Sequence, residues 1–558
     1  MEERIWHKAY VPQVPRSLDL EEITMPEVLA RTAKEYPDRT AFIFMGRKLS
    51  YAELNQLTDR FANGLRDIGV KAGDRVALIL PNIPQIIFAY FAIWRLGATP
   101  VPNNPLYTDR ELLHQLNDSG VTTVITLDLL ADRILAFKSQ TQIKRIVSCH
   151  INDYLPFPVR QLFPVLKKAM YRKYQPAPGF YQFTDLMKSA SKSLAWTPPS
   201  LDNMALIPYT GGTTGVSKGV VLTHRNVTAI IQQMSAWFYD WQGKHKVELA
   251  AFPFFHLAGF TAVMNLSVWN GWTAVLVPKP DPQTIMDTIL KYKTNVVLAV
   301  PTLYVGIMAL PEFKNSDLSF VEGFFSGAAP LPLEVINGLK GATGADIVEG
   351  FGMTESTAMV TITPWRGVLK PGSVGVPIPN TEIKLVDVET GDKEVALGEE
   401  GEVVFRGPQM CHGYYNMPDE TAQTLRNGWF HTGDIGKMDE DGYLYIVDRK
   451  KDMIIAGGFN IFPREIDEVL YEHPKVLEAC TVGVPDTYRG ETVKAFVVTK
   501  PGHTLTAEEL DAFCRERLTP YKVPKKYEFM DELPKSAIGK VLRRKLRDLD
   551  AQKAASKI

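Results

Sequence analysis

YTGGTTGVSKGV, Tyr209 to Val220, packs four glycines, three threonines and a lysine into one short stretch. An apolar run, MALIPYT (Met204 to Thr210), leads into it with strand character. THRNVTAIIQQMSAWF (Thr223 to Phe238) follows it with helical character. A flexible Gly/Thr loop between a strand and a helix can wrap phosphate with backbone N–H groups and hydroxyls. The common triphosphate loop places a glycine directly before Lys and Ser or Thr. Here Lys218 stands three places after Gly215 and is followed by Gly219. The loop therefore predicts phosphate binding of a different kind.

The same alternation extends outward from the loop. RVALILP (Arg75 to Pro81), TTVITL (Thr122 to Leu127), TAVLVP (Thr273 to Pro278) and NVVLAVP (Asn295 to Pro301) read as buried strands. Helix-like segments such as SYAELNQLTDRFANGLRDIG separate them. This order predicts an α/β architecture with largely parallel sheets. From about Gly375 the pattern changes to short strands and tight turns, as in EIKLVD, GEVVFRG and GYLYIVD, which predicts a β subdomain. Beyond DRKKD (Asp448 to Asp452) lies an α+β stretch. The expected organisation is a large N-terminal body, 1–448, of two α/β subdomains plus a β subdomain. A small mobile α+β lid, 449–558, completes it.

At 558 residues the chain is too long for one ordinary domain. Hydrophobic residues make up 45% and charged residues 22%, which predicts a soluble globular protein. Sixty-two Lys and Arg stand against 63 Asp and Glu, a net charge of −1, so no global basic field would draw in nucleic acid. The four cysteines, Cys149, Cys411, Cys480 and Cys514, have no CxxC or metal-ligand spacing, which predicts free thiols in a reducing cytoplasm. The N-terminal stretch lacks an apolar signal core. Leu249 to Pro278 carries no charged residue and is long enough to span a bilayer. Pro253, His256, Gly259, Asn265, Asn270 and Gly271 argue instead for a buried helix and strand.

Tyr154 to Thr184 is different again. It contains no Asp or Glu, has Arg160, Lys167, Lys168, Arg172 and Lys173, and mixes them with eight aromatics. Two readings stand: an ordinary surface helix and loop, or peripheral contact with an anionic bilayer surface, on the inner membrane face.

Further segments carry chemistry. VEGFGMTES (Val348 to Ser356) sets an aromatic among glycines before Thr354 and Glu355. An aromatic face can stack on a purine, a threonine can bind phosphate and a carboxylate can hold Mg²⁺. GWFHTGD (Gly428 to Asp434) ends in an expected turn presenting Asp434 to a ribose diol, with Arg449 close behind in DRKKD. PKSAIGKVLRRKLR (Pro534 to Arg547) sets Lys540 after a glycine.

YTGGTTGVSKG, SGAAPL, EGFGMTE, HTGD, VDRKKDMI and PKSAIGK, in this order, resemble the adenylate-forming superfamily of acyl- and aryl-CoA synthetases, adenylation domains and luciferases. The resemblance runs from about residue 25 to 547. NGWFHTGDIGKMDEDGYLYIVDRKKDMIIAGGFNIFPREID (Asn427 to Asp467) is most similar to fatty acid–CoA ligases of the long-chain branch. It implies ATP, Mg²⁺ and coenzyme A as cofactors and a medium- or long-chain fatty acid as substrate. The acid would be activated to an acyl-adenylate with release of pyrophosphate, then transferred to the CoA thiol with release of AMP. The alternatives are a CoA ligase for an aryl or short-chain acid, a non-turnover acyl-nucleotide binding protein and, remotely, a luciferase-like oxidase.

The resemblance assigns roles position by position. Thr210, Gly211, Gly212, Thr213, Thr214, Gly215 and Lys218 would cradle the β- and γ-phosphates and the departing pyrophosphate. Gly327, Ala328, Ala329 and Pro330, with Gly350, Phe351, Gly352 and Met353, would frame the adenine, Phe351 stacking where the family commonly has tyrosine. Thr354 would touch the α-phosphate and Glu355 would hold Mg²⁺. Asp434 would bind the ribose hydroxyls with Arg449 beside it. Lys540 would bridge the α-phosphate and the acyl carboxylate. Lys451 takes the hinge position, and His256 an acyl-pocket position near thioester formation. Gly457 and Gly458 would line a pantetheine tunnel. Ser217 replaces a proline common before the loop lysine. Oligomeric state stays open, a homodimer included.

Overall fold

The computed structural model describes residues 3–175, 177–210, 217–327, 331–456, 459–486, 489–536 and 539–555. The chain divides into two compact units, Met1–Glu382 with Arg406–Phe430, and Ile383–Phe405 with His431–Ile558.

The first unit is built on two sheets. In one, Thr99–Pro102, Arg75–Ile79, Thr123–Leu127, Arg145–Cys149 and Phe180–Gln182 lie side by side in that order, all parallel. Crossover helices cover such a sheet, so its strands are apolar on both faces. Ala77, Val124 and Ile146 are fully buried in one cluster with Leu112 and Leu116. Those leucines belong to α1 (Asp109–Asp118), which is capped by Thr108 and Glu111. The short helix α2 (Val159–Leu166) follows the fourth strand.

MALIPYT breaks at Ile207-Pro208, because proline cannot donate to a ladder. Its last two residues, β1 (Tyr209–Thr210), pair antiparallel with β2 (Lys218–Gly219), Thr210 opposite Lys218. The phosphate-loop residues Gly211, Gly212, Thr213, Thr214 and Gly215 lie outside the described residues. Helix α3 (His224–Trp237) starts on a capping box, Thr223 Oγ1 accepting from Asn226 N.

The second sheet has nine strands. Its core is β3 (Val247–Ala250), β4 (Thr273–Leu276), β5 (Val296–Ala299), β6 (Gly323–Ser326) and β7 (Asp346–Phe351). They stand in the order β7-β6-β5-β3-β4, all parallel. Thr40–Phe44 adds to β4 in parallel, and antiparallel strands close both edges. The two parallel sheets are the two expected α/β subdomains.

The uncharged stretch after Leu249 is core. It runs through a π-wound turn, Gly259–Asn265, and a short helix, Leu266–Asn270, into β4, and every residue of the π turn is buried. Among the described residues no helix is long and apolar enough to cross a membrane. A Cβ on Gly259 would sit 2.4 Å from the carbonyl oxygen of Pro253, so this approach admits only glycine.

The second unit carries β8 (Trp429–Met438) from His431 onward and, antiparallel to it, β9 (Leu444–Arg449). Gly401–Arg406 and Glu382–Val386 extend the same sheet beyond β8. A second sheet is centred on the long antiparallel pair Val476–Asp486 and Gly490–Thr499, with Lys526–Phe529 added in parallel. Helix α4 (Pro463–Tyr471) packs Ile466 and Leu470 into this sheet's core with Val493 and Val497.

Candidate functional site

The chain passes from β3 to β4 on one side, then returns to place β5 on the other side of β3. In open α/β sheets ligands bind beyond the carboxyl ends of the strands at such a reversal. The sequence-predicted residues of the first unit gather at these ends. His256 follows β3, Gly327 follows β6 directly, and Phe351 closes β7 ahead of Met353, Thr354 and Glu355. Ala328, Ala329 and Pro330 lie outside the described residues.

The turn after β7 is tightly specified. A Cβ on Gly352 would lie 1.8 Å from the Ala358 carbonyl oxygen, so no other residue fits without moving the backbone. Thr357 (φ 52°) and Ala358 (φ 111°) adopt left-handed conformations that L side chains rarely take. Such strain persists only when neighbours hold it. Thr357 Oγ1 donates to the Gln409 carbonyl at 2.7 Å, and Thr261 Oγ1 donates to the Thr357 carbonyl at 3.0 Å. Glu355, on the 3₁₀ turn Thr354–Ser356, is thereby fixed in place and buried.

Two residues outside the predicted set complete the arrangement. The Tyr414 hydroxyl donates to Glu355 Oε1 at 2.8 Å. Lys218 Nζ lies 5.1 Å from the Tyr414 ring centroid and pairs with the Glu420 carboxylate. Burial, then the Glu355 charge, pushes the Tyr414 hydroxyl far above its usual range, so it stays protonated as the donor. Lys218, Tyr414 and Glu355 thus form one connected group, cation to ring to carboxylate, though the chain separates them widely. HGYYNMPDE, with two tyrosines and two acids behind a glycine, was the available signal. Helix α1 braces the loop edge: His114 Nε2 donates to the Ser217 carbonyl at 2.9 Å, and Tyr209 hydroxyl donates to Asp118 at 2.6 Å.

His256 is half-buried, its ring 5.8 Å from that of Phe252. Its Nδ1 accepts from Ala258 N at 3.2 Å, which puts the proton of the neutral ring on Nε2.

In the second unit, Asp434 stands within strand β8 and not at a turn, a correction to the sequence reading. HTGD suggested a turn through its glycine, and Gly433 does take φ 70°, yet strand β8 runs through it. The register sets Asp434 opposite Arg449 of β9, whose Nε donates to Asp434 Oδ1 at 3.1 Å. Burial pushes the Asp434 carboxyl up, while the charges of Arg449, Lys540 and Lys451 pull it back. Lys540 occupies an exposed turn, its N–H donating to Ser536 Oγ at 3.2 Å. The Arg449 guanidinium, and secondarily desolvation of the ammonium end, lowers the Lys540 pKa to about 8. Asp434 and Asp452 oppose that shift, and Arg543 adds to it. Burial and Arg449 also lower Lys451. Gly457 and Gly458 lie outside the described residues.

Arg543 holds the base of this half. It donates to Asp467 Oδ2 at 2.5 Å and lies 3.8 Å from Asp448, both carboxylates being buried. Burial pushes Asp467 up to about 6.

Each unit therefore presents polar groups suited to a nucleotide: Lys218 and a buried carboxylate joined through Tyr414 in one, an Asp–Arg pair beside a lysine of depressed pKa in the other. The chain belongs to the AMP-binding enzyme family, which residues 29–415 match, with residues 465–540 matching the AMP-binding enzyme C-terminal domain. It is 44% identical over 554 residues to a long-chain-fatty-acid–CoA ligase of Bacillus subtilis (strain 168), covering 98% of each chain. A long-chain-fatty-acid–CoA ligase of Escherichia coli O157:H7 is 38% identical over 555 residues, again covering 98% of each. Among solved structures, ATP-bound MatB from Rhodopseudomonas palustris aligns with a TM-score of 0.83 at 30% identity, over 94% of this chain and 99% of that one.

Proposed function

We propose that this chain is an AMP-forming ligase that activates a medium- or long-chain fatty acid with ATP and passes the acyl group to CoA. The observation that carries the reading is the connected group Lys218–Tyr414–Glu355 beyond the strand ends, in a chain alignable almost end to end with long-chain ligases. In the first step a carboxylate oxygen attacks the α-phosphorus, the bond to the β-phosphate breaks, and pyrophosphate leaves. In the second the CoA sulfur attacks the acyl carbon, the carbon–oxygen bond breaks, and AMP leaves. A carboxylate is a poor acyl donor, and the mixed anhydride supplies the leaving group that it lacks.

The chain's residues divide the work. Lys218, with the loop from Thr210, neutralises the departing pyrophosphate. Phe351 offers a face to the adenine between Gly327 and Gly352, and Thr354 reaches the α-phosphate. Asp434, oriented by Arg449, accepts from the ribose hydroxyls. Lys540 stabilises charge gathering between the carboxylate and α-phosphate. His256 borders the acyl group, and Gly457 and Gly458 leave room for the pantetheine arm. Among the described residues no three His, Cys, Asp or Glu side chains cluster as a metal site. That donor set fits Mg²⁺, which is commonly held by one or two carboxylates plus substrate phosphates, here Glu355. When bound, the ion would neutralise phosphate charge.

We take residues 449–558 as a lid whose moving part begins at its hinge, Lys451, bringing Lys540 in for the first step and withdrawing it for the second. The reading places the protein in the cytoplasm with peripheral contact on the inner membrane face. ATP–pyrophosphate exchange and AMP release with CoA, across straight-chain acids from C6 to C18 and a set of aryl acids, test the substrate class. Exchange confined to aryl acids would overturn it, and exchange with none would return a binding protein.

A further inference from the structure

The acid-free stretch 154–184 folds into a feature that the nucleotide chemistry does not use. Phe157, Val159, Leu162, Val165, Leu166 and Met170 are all exposed, with Phe157 at 82%, Val165 at 77% and Leu166 at 70%. Other exposed large apolar side chains are scattered along the described chain. Val159, Leu162 and Leu166 fall at i, i+3 and i+7 of α2, one stripe of its surface. Phe163, buried, pins the helix to the body.

Cations frame the stripe. Among the described residues Lys167, Lys168 and Lys173 form no ion pair, whereas Arg172 is matched by Asp132 at 2.6 Å. The segment is held firmly at its far end. The His150 ring stacks on Tyr171 at 4.5 Å, and Asp128 accepts from Arg172 N at 2.6 Å. At its near end Tyr154 packs on Phe88, 5.1 Å between rings. The helix bearing Phe88, Pro84–Arg95, also carries Tyr90, whose hydroxyl donates to the Phe254 carbonyl beside His256.

We propose that α2 and the basic residues after it are a docking surface for an anionic lipid bilayer. An apolar stripe flanked by unpaired lysines with no acid on the segment matches a negatively charged interface, the apolar side chains entering it and the lysines meeting headgroups. Set against the fatty-acid reading, on which this inference rests, the surface positions the acyl-binding unit where a long-chain acid partitions.

Co-sedimentation with vesicles of phosphatidylcholine alone or mixed with phosphatidylglycerol tests it. The protein should pellet with the mixed vesicles and not with the neutral ones. Lys167→Ala/Lys168→Ala/Lys173→Ala should weaken that binding about 100-fold, at about fivefold per cation. Leu162→Asp/Leu166→Asp should weaken it more than tenfold. Both variants should keep the wild-type melting temperature and vesicle-free turnover of a soluble medium-chain acid. Equal binding to both vesicle types, or binding unchanged in either variant, overturns the proposal. So does loss of self-association in Leu162→Asp/Leu166→Asp with vesicle binding intact, which would assign the stripe to a second copy. Vesicle binding without acyl-CoA formation from any acid would sink the ligase reading alone and leave the docking surface supported.

Discussion

Replacing Lys540 with alanine should separate the two half-reactions. A single well-placed charge at the site of developing negative charge contributes roughly 10²–10³-fold to a rate. ATP–pyrophosphate exchange should fall by about that factor, while thioester formation from supplied acyl-adenylate should stay near wild type. The wild-type pH profile gives a second handle. With the Lys540 pKa lowered to about 8, the ammonium is about 90% charged at pH 7 and about 10% charged at pH 9. Adenylation kcat/KM, which reports the free enzyme, should therefore fall as pH climbs through about 8. The largest cause of the depression is the positive charge of Arg449. Arg449→Gln should move the alkaline limb toward the ordinary lysine value of 10.5, whatever it does to absolute rates. Asp434 and Asp452 remain to favour the charged form, so the direction is upward. Equal loss of both half-reactions in Lys540→Ala, or an alkaline limb that persists at pH 8 in that variant, would refute the assignment.

Tyr414→Phe deletes the hydroxyl donated to Glu355. A hydrogen bond to a charged group is worth about 1.5–3 kcal/mol, so the Mg²⁺ concentration for half-maximal exchange should rise roughly 10- to 100-fold, with the rate recovered at saturating Mg²⁺. Gly352→Ala drives a Cβ into the Ala358 carbonyl; adenylation should be abolished and thermal unfolding should record a loss of about 1–3 kcal/mol. Arg543→Ala strips the partner from buried Asp467 and Asp448 and should cost about 3–5 kcal/mol. Protonation relieves an unpaired carboxylate, so that loss should be greater at pH 8 than at pH 5, measured by thermal melts at both.

What was legible in the sequence was whatever short-range pattern specifies. Runs such as VALI (76–79) and VVLA (296–299) are apolar at every position because both faces of a parallel strand are covered, and they read as strands directly. Long-range register was not legible. HTGD looked like a turn because glycine beside aspartate usually marks one, and only the fold shows strand β8 running through Gly433 to pair with β9 from Asp434 onward. Tyr414 and Glu420 escaped for the same reason. Nothing local distinguishes a tyrosine that meets Glu355 from one that packs in the core, since the contact is made by folding.

That separation of the site into locally and globally specified parts bears on the lid. Glu355, Tyr414, Lys218 and Glu420 all belong to the first unit, and their mutual contacts are made within it. Asp434, Arg449, Lys451 and Lys540 belong to the second, and the charges that set the Lys540 pKa come from that unit too. Rotation at Lys451 would carry Lys540 away from Asp434 and Arg449, which precede the hinge, while leaving the Glu355 group untouched. Lys540 would then lose the Arg449 charge that depresses it and regain an ordinary lysine pKa in the thioester-forming state. The alkaline limb near pH 8 should accordingly appear in pyrophosphate exchange and be absent from thioester formation with supplied acyl-adenylate. A limb at the same pH in both half-reactions would mean that Lys540 and Arg449 stay together throughout, and the hinge would have to lie elsewhere.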